Sequence, residues 1–405
     1  MTSSASKVGE SGLVKTVEIE GRGRALVASQ SLRGGQIILT DSPILLYSAH
    51  PLSSSSNAYC SNCFRHLQTC STLVSCSSCP CLFCSPDCLT HALSSSHSPW
   101  ACLTLSLLRA SPSLSLSHSE RQVQARFLVA AYNLAIVSPS HFHILLSLQG
   151  MALPSSDSDA PTFLHSLLSS LSPPQGVAGF SVELTTALLA KDKLNAFGLM
   201  EPPALAPGGE RSVRAYGIYP KASFFNHDCL PNACRFDYVD TASHHNTDIT
   251  IRLIHDVPEG SEICLSYFPV NETYADRQKR LLEDYGFTCY CDRCRVEANW
   301  KDDDEQEEEQ DDEGQVMDED QDEQMIGSEN EIEIGDGGGE NDFPHAYFFL
   351  RYMCTRENCW GTLAPLPPSD SDASPSNLME CNVCGNSKKS DEDFNSDEDR
   401  LSVDD

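Results

Sequence analysis

Cysteine spacing constrains this chain more than any other feature. Its 405 residues include 19 cysteines, most of them in closely spaced pairs. The densest segment reads YCSNC at 59–63, CSSC at 76–79, CSPDC at 84–88 and H-x4-C at 97–102. A two-residue gap lets both thiolates reach one ion at about 2.3 Å, and zinc takes four such ligands in a tetrahedron. Cys60, Cys63, Cys76, Cys79, Cys84, Cys88, His97 and Cys102 therefore suffice for two zinc sites. The expected pairing is interleaved. Cys60 and Cys63 join Cys84 and Cys88, while Cys76 and Cys79 join His97 and Cys102. His91 is the alternative to His97. Cys70 and Cys81 fall outside the pattern, as small buried residues or spare ligands. The segment holds too little apolar material for a core of its own, so metal would supply its folding energy.

Two further clusters follow. TCYCDRC at 288–294 supplies Cys289, Cys291 and Cys294, one ligand short of a closed site. FFNHDCLPNACRF at 224–236 offers Cys229 as the fourth. A shared metal would tie the loop at 226–232 to the hook at 289–294. Further on, Cys354 and Cys359 pair with Cys381 and Cys384 in a zinc-ribbon pattern. Gly385 can take the positive φ that closes such a knuckle. The plain alternative for each set is unrelated buried cysteines. Cys234 and Cys264 read that way, as core residues.

Composition narrows the function classes. The N-terminal MTSSASKVGESG lacks an apolar signal core, and no run of about 18 apolar residues offers a membrane span. A reducing compartment is expected, where cysteines serve as metal ligands rather than disulfides. The net charge of −31 is unevenly spread: residues 302–342 hold 21 of the 58 acidic side chains and residues 391–405 hold 8 more. The remainder carries 29 acidic against 26 basic side chains, so the folded body is nearly neutral. The acidic tracts read as disordered. Between 59 and 102 the only Lys or Arg is Arg65, too little to neutralise phosphates, so no direct nucleic-acid contact is expected.

Residues 13–48 alternate apolar and polar in short runs split by GRG and GG, which predicts strands and tight turns. Helical patterns cover 119–150, with Ser119 as N-cap, and 180–199. Strands return at 213–220 and 247–270, with PEG at 258–260 as a turn. Residues 271–286 read as a helix capped at Asn271. Strands, an inserted helical block, then strands again predict an α+β fold.

Several motifs in this order resemble the SET and MYND domain lysine methyltransferases, most nearly the plant ASH-related SET proteins. They are GRGRALVAS (21–29), the cysteine cluster 60–102, KLNAF (193–197), FFNHDCLPNA (224–233), EGSEICLSYF (259–268) and YGFTCYCDRC (285–294). Together they cover about two thirds of the chain. The resemblance implies a SET β-fold with a pseudoknot, split by a MYND zinc finger and a helical block. Its expected parts are 13–50 (SET, first part), 58–102 (MYND finger), 119–200 (helical insert), 211–270 (SET core) and 271–296 (post-SET zinc segment). An acidic linker at 302–342, a zinc ribbon at 343–389 and an acidic tail at 390–405 complete the chain.

The resemblance also implies roles. Arg22, Gly23 and Arg24 would contact S-adenosylmethionine, as would Asn195, Asn226 and His227. Tyr267 would be the catalytic tyrosine and touch the cofactor. Phe287 would pack on the adenine, and Tyr285 would line the lysine channel. Cys229, Cys289, Cys291 and Cys294 would hold the post-SET zinc. Two departures stand out: Ala25 where glycine is common, and Asp228 where serine is usual. Taken alone, GRGR is a basic turn, Asn195 a helix-surface residue and Tyr267 a core aromatic.

The chemistry agrees with these roles. Free lysine has a pKa of about 10.4, yet methyl transfer needs the neutral amine. A dry aromatic channel disfavours the ammonium and aligns the nitrogen with the methyl. The expected function is S-adenosylmethionine-dependent, in-line methylation of a lysine on a histone or other protein, with zinc as structural metal. Nucleus and cytoplasm both fit, the resemblance alone favouring the nucleus, and it also implies a finger that could take a partner peptide. The alternative is an inactive zinc scaffold working through the MYND finger.

Overall fold

The computed structural model describes residues 12–52, 58–150, 159–202, 211–238, 240, 245–299, 348, 351–367 and 376–389. The expected acidic linker at 302–342 and acidic tail at 390–405 lie outside the described residues.

Alternating residues at the start form an antiparallel hairpin, Val14–Ile19 against Gly23–Ala28. Gly21 and Gly23 close it with φ of 76° and 72°, a region that costs other residues a Cβ clash. Two three-stranded sheets follow. Ile249–Leu253 runs between Ala233–Phe236 and Ile37–Asp41, and Val213–Ile218 runs between Leu45–Ser48 and Ala196–Met200. The strand faces meet in a core that includes Leu26, Ile38, Phe225 and Ile251.

The helical insert docks on the second sheet. Helix Ser119–Val137 buries Phe127, Leu128 and Tyr132 against Leu45, Tyr47 and Ile218. Tyr47 and Phe127 meet edge to face at 5.4 Å. The α+β expectation holds.

Local details differ from the sequence reading. Ser119 is the first helical residue and His118 takes the cap position. The helix predicted at 180–199 spans Val182–Asn195; Ala196–Met200 leaves it to pair with Val213–Ile218, because sheet bonding overrides helical periodicity. Thr273, not Asn271, caps helix Tyr274–Arg280, its hydroxyl accepting from Asp276 N. Helices Pro86–Ser94 and Pro99–Ala110 went unread. Each begins with proline after a serine whose hydroxyl accepts a backbone N–H, a legible start signal.

The chain crosses itself at the centre. Cys264–Leu265 pairs in parallel with Asn226–His227. On its other side the same segment bonds the hairpin: Ala28 N donates to Ser261 O at 2.9 Å, and Ile263 N to Leu26 O at 2.8 Å. Asn232 pins the crossing. Its amide donates to Glu262 O at 2.8 Å and its carbonyl accepts from Cys264 N at 2.9 Å.

The C-terminal ribbon is a three-stranded antiparallel sheet of Leu363–Pro365, Leu378–Cys381 and Ser387–Lys389. It shares a core with the body through Phe236, Ile254 and Val270. Arg252, buried over the Phe236 ring, donates to Glu380 at 2.9 Å and fixes the ribbon's orientation.

Candidate active site and metal clusters

Among the described residues, four groups of side chains bring their donor atoms within 4.8 Å of one another. They are Cys60, Cys63, Cys84 and Cys88; Cys76, Cys79, His97 and Cys102; Cys229, Cys289, Cys291 and Cys294; and Cys354, Cys359, Cys381 and Cys384. The Sγ separations decide what they are. Cys60–Cys88 is 3.5 Å, Cys63–Cys84 3.6 Å, Cys229–Cys294 3.4 Å and Cys359–Cys381 3.7 Å. A disulfide requires about 2.05 Å. Bonds of about 2.3 Å to one zinc put tetrahedral sulfurs about 3.8 Å apart. The donor sets therefore fit zinc.

His97 Nε2 lies 3.3 Å from Cys79 Sγ, and burial lowers its pKa and keeps the ring neutral, as a ligand must be. His91 is exposed and sits 3.4 Å from the Asn62 amide instead. Cys70 donates to His66 O, outside the donor sets. Cys234 and Cys264 are buried core residues.

Around the third cluster sits a network the sequence reading missed. Arg277, fully buried, donates to Cys229 Sγ at 3.3 Å and Cys294 Sγ at 3.7 Å. Its guanidinium also pairs with Glu297 at 2.6 Å, and Arg293 pairs with the other Glu297 oxygen at 2.6 Å. Arg293 further donates to Val270 O. The Arg277 guanidinium against two of the four sulfurs would offset thiolate charge, and the pairs anchor the hook to the body.

The crossing builds a cradle beside the hairpin. Arg22 donates to His227 O at 3.0 Å and pairs with Glu262 at 3.0 Å. Asn226 donates to the other Glu262 oxygen at 2.8 Å. Glu262 thus organises both residues, a role that only the folded arrangement reveals. Arg24 turns away, donating to Ser147 O and lying over the Phe224 ring at 4.7 Å. A Cβ at Gly21 or Gly23 would meet nothing within 4 Å, so the turn borders open space. Ala25 is fully buried and pairs with Val17 across the hairpin. Asp228 accepts from Leu230 N at 2.9 Å, and burial pushes its carboxyl up to about 7.

Aromatic rings continue outward from the cradle. His227 and Tyr267 lie 5.2 Å apart, Tyr267 and Tyr285 4.9 Å, and Tyr285 and Phe287 6.4 Å. Phe287 is 37% exposed. Burial lowers the His227 imidazole to about 3, so it is neutral. Burial raises Tyr267 above the ordinary phenol value, so its hydroxyl stays protonated, and it donates to Phe225 O at 3.0 Å.

Beyond Tyr267 opens a cavity of about 550 Å³, lined by Phe225, Tyr267, Phe268, Tyr285, Trp360 and Val383 among others. Arg22, Gly23, Arg24, Asn226, His227 and Phe287 do not line it. Tyr267 therefore divides two spaces, the cradle on one side and the cavity on the other. Asn195 stands at the cavity, its buried amide donating to Gln149 O at 2.7 Å and Lys191 O at 2.8 Å.

The SET domain profile matches residues 23–268. The histone-lysine N-methyltransferase ASHR2 of Arabidopsis thaliana is 58% identical over 93% of this chain and 96% of its own length. The histone-lysine N-methyltransferase ATXR4 of Arabidopsis thaliana is 33% identical over 29% of this chain and 38% of its own length. A SET and MYND domain-containing protein of Dictyostelium discoideum is 32% identical over 26% of this chain and 19% of its own length. A profile match over more than half the residues, joined by a near-full-length relative, means that the chain belongs to the SET-domain family.

Proposed function

We propose that this chain is an S-adenosylmethionine-dependent protein-lysine N-methyltransferase that acts on histones or other proteins. The carrying observation is Tyr267, a partly buried, neutral phenol between the polar cradle and an aromatic cavity. Relatives whose names include histone-lysine methyltransferases support the substrate class and a nuclear setting. The finger at 58–102 is the part of the proposal that would take a partner peptide.

The residues present fit the cofactor. Arg22, Asn226 and His227 would hold its polar groups beside the open turn at Gly21 and Gly23. The exposed Phe287 ring would take the adenine. When bound, S-adenosylmethionine supplies a methyl group on a sulfonium, which leaves as a neutral thioether.

Tyr267 and Tyr285 form the dry wall past which a lysine chain would reach that methyl. Desolvation by their rings lowers the lysine pKa and favours the free amine. A neutral amine held there would present its lone pair to that methyl, and its surplus proton would pass to solvent. Tyr267 cannot serve as a base, because its raised pKa keeps it protonated. Its hydroxyl orients the reacting groups, so the rate gain comes from positioning and solvent exclusion. Zinc at Cys229, Cys289, Cys291 and Cys294 would hold the segment bearing Tyr285 and Phe287 in place. The test is transfer of a labelled methyl group from S-adenosylmethionine to core histones, with S-adenosylmethionine binding measured in parallel. Failure of both ends the proposal.

A further inference from the structure

The cavity beyond Tyr267 is built from two separate parts of the chain. One wall is Phe225, Phe268 and Tyr285; the other is the C-terminal ribbon, through Trp360, Thr362, Asn382 and Val383. The ribbon is fixed there. Asn382 donates to Arg235 O at 3.3 Å, and Arg211 donates to Val383 O at 2.5 Å. Leu230 and Val383 pack onto the shared core. Trp360 remains 50% exposed while lining the cavity that Tyr267 also lines, an apolar ring half open to solvent.

The charge of the lining is equally specific. Among the described residues no carboxylate lines the cavity, whereas two guanidiniums do, Arg235 and Arg280. Arg235 is held by Gly198 O, and Arg280 lies over the Phe268 ring at 5.2 Å. The acidic partners of Arg280, Glu272 and Asp284, stand outside the lining. A second cation brought into this space would meet two guanidiniums, of which only Arg280 is paired with carboxylates, at a cost in affinity. An apolar side chain would instead cover the Trp360 ring and remove its surface from water.

We propose that the ribbon forms half of the protein-substrate groove, and that Trp360 selects segments whose residues flanking the target lysine are apolar rather than basic. This inference rests on the methyltransferase reading above. The occupant is an extended substrate segment, because the cavity is continuous with the tyrosine that would meet the lysine.

The test uses the full zinc-loaded chain, labelled S-adenosylmethionine and two synthetic peptides. These differ only beside one lysine, with Leu-Lys-Val in one and Arg-Lys-Arg in the other. The wild type should show kcat/KM at least about tenfold higher for the apolar peptide, with KM carrying the difference. Trp360→Ala should shrink that preference to within about twofold while cofactor affinity and zinc content stay unchanged. Val383→Asp, which adds a carboxylate to the same wall, should shift the preference toward the arginine peptide. Equal or reversed preference in the wild type overturns the inference, as does a preference that persists in Trp360→Ala. Transfer without flank selectivity defeats this inference alone. A wild type that methylates neither peptide nor core histones defeats the reading beneath it as well.

Discussion

The backbone N–H of Tyr267 donates to Nδ1 of His227 at 3.2 Å. This bond joins the two segments of the crossing at the point where the cradle meets the cavity. A buried, neutral imidazole is the acceptor it needs. His227→Leu leaves that N–H without its partner, at a cost of about 1–3 kcal/mol. Chemical denaturation should show the loss, and labelled transfer should fall with it because Tyr267 is no longer held.

Metal content separates the roles of the clusters. The four donor sets among the described residues predict four bound zinc ions, measurable by emission spectroscopy. Cys289→Ser should lower the count by one and abolish methyl transfer, because the hook anchors the segment leading into it, which carries Tyr285 and Phe287. Cys359→Ser should lower the count equally while leaving S-adenosylmethionine affinity within about twofold, because the cradle contains no ribbon residue.

The Arg277–Glu297 pair is fully enclosed, with side chains 0% and 6% exposed. Arg277→Met removes a cation from two zinc thiolates and half the charge partners of Glu297. Breaking such a pair from one side costs about 3–5 kcal/mol. Arg277→Met with Glu297→Gln should recover part of that loss in a denaturation series.

Tyr47 donates to Asp192 at 2.5 Å, and burial pushes the Asp192 carboxyl up to about 7. The unfolded carboxyl titrates at about 3.9. Between these values the folded state binds more protons, so stability falls as pH rises through the window and levels off above it. Asp192→Asn should be more stable than the wild type at pH 8, by at most about 4 kcal/mol. The gap should narrow as pH falls toward 4. Melting temperatures across that range check the sign.

Metal spacing was legible because it is local: CxxC pairs declare themselves, and the three-cysteine hook required one distant partner, Cys229. The strand–helix–strand order was legible from periodicity alone. Helix ends were not, since Ala196–Met200 continues a helical pattern but is claimed by a sheet partner. Glu262, Arg277 and Glu297 carry no local signal; their meaning lies in partners remote in sequence. Trp360 likewise gains significance only because the ribbon folds back against the cavity.

The most direct measurement compares wild type with Tyr267→Phe in transfer of a labelled methyl group from S-adenosylmethionine to core histones. The change removes one buried hydroxyl and keeps the ring. The account predicts label on histone lysines with the wild type, a loss of at least about 100-fold in kcat with the variant, and cofactor affinity within about twofold. An unchanged rate in Tyr267→Phe would contradict the role of the hydroxyl. Absence of transfer by the zinc-loaded wild type would contradict the activity itself.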